Sequence, residues 1–283
     1  MSTTERPDRW AITSPRSDRV KRIAALSGRS ARRKQGRFRI EGPQAVRSLL
    51  QHSSFLVREL YVTADGATAH PDILELADAH EIRPRDVDPS ILRAMTRGEE
   101  DGAAASMAAP QGVLAVADLP SPSLHAVLDS LPDGPLTALV LHGVQDPGNA
   151  GTLIRAADAS GARAVLATTG TVDLYSPKVV RSATGSLFHL PVVAGIAPED
   201  LSPALHDAGI SVLATSGYAD HDLFTTELPT RGAWIMGNEA HGLPQEVLDT
   251  ADLAVRIPLA GDAESLNVAI AATVCLFETL RRR

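Results

Sequence analysis

Residues 136–281 alternate between short apolar runs and longer stretches with helical spacing. The runs are Leu136–Leu141, Ala162–Ala167, Ile210–Ala214, Ala233–Met236 and Leu253–Ile257; helical patterns fall near 150–160, 176–185, 198–208, 244–250 and 266–281. Neighbouring parallel strands need long crossovers, usually helical, so this alternation predicts an α/β domain whose parallel sheet is covered on both faces. In such sheets ligands bind beyond the carboxyl ends of the strands. The loops that follow the apolar runs are therefore the places to look for chemistry.

The chain has 283 residues, room for roughly two domains. Its first part reads as a smaller α/β domain. A loose tail is expected over 1–15, and a basic helix over 18–36 with Val20, Ile23, Ala24 and Leu26 on one stripe. A strand Arg37–Glu41 follows, then Gly42-Pro43, with Pro43 suited to the first turn of a helix. Further expectations are a strand at Phe55–Thr63, a helix at Pro71–His80, a strand at Ile82–Arg85, a helix at Pro89–Met95 and a closing strand at Gly112–Val116. Prolines at 120, 122, 132 and 135 mark a linker over 119–134. The division is thus 16–118 for the first domain and 135–283 for the second.

Hydrophobic residues make up 44% and charged residues 22%, which excludes wholesale disorder. No apolar stretch is long enough for a membrane helix, and the polar start has no signal-peptide core, so a cytoplasmic location without membrane association is expected. The single cysteine, Cys275, lies in an apolar helical stretch and reads as core; no metal site is expected, because His142, His189 and His241 lack ligand spacing. The net charge of −7 conceals an asymmetry. The first sixty residues hold fourteen Lys and Arg against five acids, a net +9, and the rest carries −16. The densest basic run spans Arg29, Arg32, Arg33, Lys34, Arg37 and Arg39. It is either a nucleic-acid contact, since cations gain affinity by displacing condensed counterions, or a solvated arm. Aromatics are only 4%, so base stacking is not the main mode of any such contact.

Three loops carry polar and glycine-rich patterns. The first, His142-Gly-Val-Gln-Asp-Pro-Gly-Asn-Ala-Gly151, joins a strand to a helix and offers backbone amides to an anion, with Arg155 further along the helix on what looks like the face of Asn149. The second, Trp234-Ile-Met-Gly-Asn-Glu-Ala-His-Gly-Leu243, sets Gly237 for close backbone approach by a ligand and Glu239 at a strand end. The third, Val255 to Asn267, ends with Ser265 as the expected N-cap of the last helix and Asn267 in its first turn. Dinucleotide, P-loop and nucleophile-elbow motifs are missing.

Together these loops resemble the motifs of the SpoU/TrmH family of RNA ribose 2′-O-methyltransferases, in the SPOUT superfamily. The resemblance rests on Val144–Asp158, Met236–Leu243, and Ile257-Pro-Leu through Glu264-Ser-Leu-Asn-Val-Ala269, with Asp173–Ser186 similar to the intervening segment. Phe38–Val46 is similar to the L30e-like substrate-binding domain often attached to that family. The resemblance implies a parallel-sheet SPOUT domain with a deep trefoil knot, formed by the second and third loops. It also implies S-adenosylmethionine as cofactor, contacted by Gly237, Ile257, Leu259 and Leu266, with Thr215 and Gly217 at the adenosine. The expected assembly is a homodimer whose active site is completed across the interface.

Carried over in the same way, Asn149, Arg155, Glu239, Ser265 and Asn267 form the catalytic set. Arg155 would bind a phosphate and stabilise developing alkoxide charge, because a guanidinium stays protonated. Asn149 would orient the ribose or hold Arg155, and Glu239 would fix Arg155 or a substrate group. Ribosomal RNA, 23S in particular, is the expected substrate and transfer RNA the alternative. The rival readings are a catalytically silent RNA-binding assembly factor and a small-molecule enzyme built on the same pocket.

Overall fold

A computed structural model describes residue 12 and residues 14–97 and 111–283, so most of the tail expected over 1–15 lies outside the described residues. The chain forms two compact units. One comprises the residues up to Pro120 together with Tyr175–Arg181, the other Ser121–Leu174 and Ser182–Arg283.

In the first unit the elements are α1 (Asp18–Ala24), α2 (Arg29–Gln35), β1 (Arg37–Glu41), α3 (Pro43–Ser53), β2 (Val57–Val62), α4 (Ala64–Ala69), α5 (Pro71–Ala79), β3 (Arg85–Asp86), α6 (Pro89–Thr96) and β4 (Val113–Asp118). The sheet order is β1-β4-β2-β3, with β4 antiparallel to both neighbours and β3 parallel to β2. The basic helix expected over 18–36 is two helices. Ser17 caps α1, a 3-10 turn occupies Ala25–Ser27, and Gly28 adopts an extended conformation before α2. The break lets Val20, Ile23 and Leu26 turn inward together onto Tyr61, Ile91, Leu92, Met95, Leu114 and Val116. Each such side chain fully buried contributes about 1.5–3 kcal/mol. Two strands differ from expectation: Ser54–Leu56 form a 3-10 turn before β2, and β3 is the two residues Arg85–Asp86 in place of Ile82–Arg85.

The second unit begins with α7 (Leu124–Asp129), so the expected linker at 119–134 is largely structured. Val127 and Leu128 bury into the main core with Leu136, Val140, Leu166 and Ile235; proline punctuation marked the ends of a helix here. The remaining elements of the chain are β5 (Leu136–Leu141), α8 (Pro147–Ala159), β6 (Ala164–Thr168), α9 (Pro177–Ala183), most of which belongs to the first unit, β7 (Val192–Ile196), α10 (Pro198–Asp207), β8 (Ser211–Thr215), β9 (His221–Asp222), β10 (Arg231–Met236), α11 (Gln245–Asp249), β11 (Leu253–Arg256) and α12 (Val268–Arg281). Seven strands form one all-parallel sheet in the order β7-β6-β5-β10-β8-β11-β9. Strand β7, which the apolar pattern did not mark, is an edge strand with two exposed residues and a positive-φ Gly195. The central strands bury on both faces, as parallel strands covered by helices must. Trp234 on β10 is fully buried and donates its indole N–H to Thr279 Oγ1 at 3.0 Å, tying α12 to the middle of the sheet.

Candidate functional site

The loops after β8, β10 and β11 converge with the start of α8 around one cavity of about 700 Å³. Its lining includes Thr215, Gly217, Gly237, Ile257, Leu259 and Leu266, and also Asn149, Glu239, Ser265 and Asn267. Arg155 is the one member of the expected cofactor and catalytic sets that the cavity does not include. These loops follow parallel strands that end on one edge of the sheet, which is why residues as far apart in sequence as Asn149 and Ala271 meet there.

The start of α8 shows how the first loop works. Asp146 is the N-cap and accepts from the Asn149 backbone amide at 2.7 Å; Pro147 takes the first helical position. The amides of Gln145 and Asp146 each donate to Glu239, to Oε2 and Oε1 respectively, at 3.1 Å. The anion expected at this glycine-rich turn is therefore the chain's own carboxylate. Asn149 Nδ2 also donates to Glu239 Oε1 at 3.1 Å. Burial pushes the Glu239 carboxyl up, but the hydrogen bonds from Asn149, Gln145 and Asp146 outweigh it and hold its pKa below the usual range. Glu239 thus fixes the α8 start and Asn149, and makes no contact with Arg155. Gly151 has a packing role: a Cβ there would lie 1.8 Å from Ser182 Oγ, which donates to the Pro147 carbonyl at 3.0 Å.

At the other end of the site the N-cap of α12 is Asn267, not Ser265. Asn267 Oδ1 accepts from the amides of Ala269 and Ile270, at 2.9 and 3.4 Å, and its Nδ2 donates to Asn149 Oδ1 at 3.0 Å. The helix starts two residues later than expected, which leaves Ser265 exposed on the cavity wall. The bonds form an ordered chain. Backbone donors at α12 orient the Asn267 amide, Asn267 orients Asn149, and Asn149 presents its donor to Glu239. Both ends are anchored on helix N-termini, so the amide orientations are all determined.

Gly237 is glycine because the loop folds onto itself: a Cβ would lie 2.4 Å from the Gly242 carbonyl carbon. Asn238 and Gly242 exchange two backbone hydrogen bonds, and the Asn238 side chain accepts from Ala240 and donates to the Gly143 carbonyl. Asn238 escaped the sequence reading; its signal was an asparagine wedged between two glycine-bearing turns, where Asx turns form. Ser216, Tyr218, Met236, Leu243 and Glu264 also line the cavity unforeseen.

The lining carries two carboxylates, Glu239 and Glu264, and no Lys or Arg. Such a wall suits a cationic ligand and disfavours a nucleotide phosphate. Met236, Leu243, Ile257, Leu259 and Leu266 supply apolar surface, while a Cβ built on Gly217 meets nothing within 4 Å, leaving open space at the rim. This donor set fits S-adenosylmethionine, which is positive at its sulfonium and ammonium and apolar along its purine. Among the described residues no three His, Cys, Asp or Glu side chains cluster as metal ligands, and no helix is long and apolar enough to cross a membrane.

Arg155 lies exposed on α8 and has no hydrogen bond or ion pair among the described residues. It does not share the face of Asn149: six residues at 3.6 per turn is about one and two-thirds turns. Burial also divides the basic run. Arg32 is 2% exposed and donates to the Leu26 and Ser27 carbonyls. Arg39 is 1% exposed; it donates to the carbonyls of Ala24, Met95, Thr96 and Arg97 and pairs with Glu41 at 2.7 Å. These two leave the RNA-facing set, because Arg32's donors satisfy carbonyls of the 3-10 turn after α1 and Arg39's satisfy carbonyls at the ends of α1 and α6. Arg29, Arg33 and Lys34 are exposed, and Arg37 is half-buried.

The SpoU rRNA Methylase family model matches residues 137–277, and the MRM3-like substrate binding domain model matches 17–115. The 23S rRNA (guanosine-2′-O-)-methyltransferase RlmB of Ralstonia nicotianae is 34% identical over 86% of this chain and 94% of its own. The 23S rRNA (guanosine(2553)-2′-O)-methyltransferase RlmP of Bacillus subtilis is 33% identical over 94% and 97%. Among solved structures, the AdoMet-bound rRNA methyltransferase from Sinorhizobium meliloti superposes with a TM-score of 0.80 at 30% identity, covering 96% of this chain and 97% of that one. The SpoU methyltransferase AviRb from Streptomyces viridochromogenes, in complex with AdoMet, gives 0.79 at 31% identity, with 95% and 98% covered. The looped cavity at the sheet's carboxyl edge, the ordered motifs that build it and these full-length likenesses agree: the chain belongs to the SpoU rRNA methylase family.

Proposed function

We propose that this protein transfers a methyl group from S-adenosylmethionine to a ribose 2′-hydroxyl of 23S rRNA, in the cytoplasm. The observation that carries the reading is the cavity where three motif loops meet, walled by two carboxylates and without a basic residue. The names of its relatives supply the substrate class.

S-adenosylmethionine supplies an activated methyl on a sulfonium, so little covalent chemistry is left to the protein. The chain's own residues position and exclude. Glu239, Asn149 and Asn267 hold the loops at fixed separation. Met236, Ile257 and Leu266 exclude water from the apolar wall. Ser265, exposed at the rim, offers a hydroxyl donor to the incoming RNA. Thr215 and Gly217 border the purine end. The reading includes the trefoil knot implied by the resemblance, formed by the loops 237–243 and 257–267.

Arg155 acts from a second copy of the chain. Helix α8 packs against α12, and α12 exposes Ile270, Phe277 and Leu280, three large apolar side chains at helical spacing. Pairing two copies through that face covers them and carries Arg155 of each towards the other's cavity. There the guanidinium binds the phosphate next to the target ribose and stabilises the charge growing on its 2′-oxygen.

Incubation with methyl-labelled cofactor and total RNA from a strain lacking the gene tests the proposal. One new 2′-O-methylated nucleotide is expected, at a position read by primer-extension stops. Label confined to transfer RNA, or absent altogether, overturns it.

A further inference from the structure

The arginines of the first unit fall into two classes, and one class builds a pocket. Arg19 and Arg22 of α1, Gln35 at the end of α2, Arg37 of β1 and Glu59 of β2 surround a recess of about 150 Å³ floored by Ile23, Leu26 and Val116. Three guanidiniums face one carboxylate, a local surplus of positive charge. Glu59 does not satisfy them. Its ion pairs with Arg19 and Arg37 are 3.4 and 3.7 Å long, beyond ordinary hydrogen-bond distance, and its Oε2, the atom nearest Arg19, already accepts from the Tyr61 hydroxyl. Arg37 reaches Asp118 only at 3.9 Å, while Asp118 is held at 2.7 Å by Arg58. Arg22 is exposed and has no side-chain partner among the described residues. Buried Arg32 and Arg39, by contrast, have their donors directed at carbonyls.

Loosely paired fork-shaped donors converging on a small walled recess match the oxygens of a phosphodiester. We infer that this recess seats one backbone phosphate of the RNA substrate, gripped by Arg19, Arg22 and Arg37 with the Gln35 amide beside them. The inference rests on the RNA-methyltransferase reading and adds the point at which the first unit holds its substrate. A phosphate contact positions the polynucleotide without reading its bases. It therefore adds affinity and salt dependence without adding sequence preference.

The test is binding of a 23S rRNA transcript to the full chain, measured across a series of KCl concentrations. Each lost phosphate contact lowers the slope of log affinity against log salt by about 0.7–0.9. Arg22→Ala, at an exposed and unpaired position, is expected to lower the slope by about one such step, and Gln35→Glu, which sets a carboxylate in the recess, to weaken binding further. Arg83→Ala, at an exposed position of the first unit outside both the recess and the basic run, is the comparison and is expected to change the slope less than Arg22→Ala. Affinity for S-adenosylmethionine, measured by calorimetry, stays at the wild-type value in all three. Inorganic phosphate at millimolar concentration should compete weakly with the transcript in the wild type and not in Arg22→Ala. An unchanged slope in Arg22→Ala, or an equal fall in Arg83→Ala, overturns the inference. A wild-type protein that binds the transcript with the full slope but methylates no RNA overturns the functional reading instead, and leaves the recess standing.

Discussion

The cavity of the second unit and the arginine-rich face of the first use polar side chains in opposite ways. Around the cavity, Glu239, Asn149 and Asn267 are tied to backbone amides at two helix starts, so their geometry follows from where the helices begin. On the first unit, residues of one type and one short stretch divide between interior and surface: Arg39 is buried among carbonyls while Arg33 faces solvent. The difference teaches that a motif locates a side chain when the backbone is its partner. A charge run does not, because each arginine's role depends on what packs above it.

The comparison breaks first at Arg39. Arg39→Ala leaves several buried carbonyls without their donor and Glu41 with Arg181 alone, and is expected to cost about 3–5 kcal/mol of stability, read as a large fall in the denaturation midpoint. A variant that melts like the wild type and loses only RNA affinity would return Arg39 to the RNA-facing set. Arg155→Ala, at a residue with no structural partner, should lower kcat about 100- to 1000-fold while leaving the melting temperature unchanged. Near-normal turnover in Arg155→Lys would remove the need for a two-pronged donor.

Glu239→Gln sharpens the other side of the comparison. It turns one acceptor of the chain into a donor facing the Asp146 and Asn149 donors, at a cost of about 1–3 kcal/mol, seen as weaker S-adenosylmethionine binding by calorimetry. Adding Asn149→Asp restores one donor–acceptor pair and should recover part of the loss. Because the Glu239 pKa is held down in the folded protein, the same network is intact above the ordinary carboxylate range. Cofactor affinity should fall only as the pH drops below that range. The smallest effect is expected at Glu278, whose carboxyl is held by Arg281 and, against burial, by Arg282, and titrates at about 2. Its contribution is present in full above the unfolded value of 4.5 and disappears as the pH falls through about 2. The stability difference between wild type and Glu278→Gln should therefore shrink over that window in urea titrations.

Much of the second unit was legible because its chemistry sits in loops at strand ends. The runs at Leu136–Leu141 and Ala233–Met236 mark strands, and the residues just beyond them line the cavity. The less legible features depend on distant partners. Asn267, rather than Ser265, caps α12, and its amide meets Asn149 from the other end of the unit. Helix α7 hid among prolines because its stabilisation comes from Val127 and Leu128 entering a core built by later strands. Arg155 was set on the wrong face of α8 by counting turns loosely.

Sequence alone determined the strand–helix alternation, the parallel sheet it requires and the loops where a ligand belongs, because periodicity and glycine or proline punctuation act locally. Tertiary structure decided which arginines are buried, that the anion at the start of α8 is Glu239, and how two asparagine amides point. Those outcomes depend on backbone groups brought together from distant parts of the chain, and a local pattern carries no record of them.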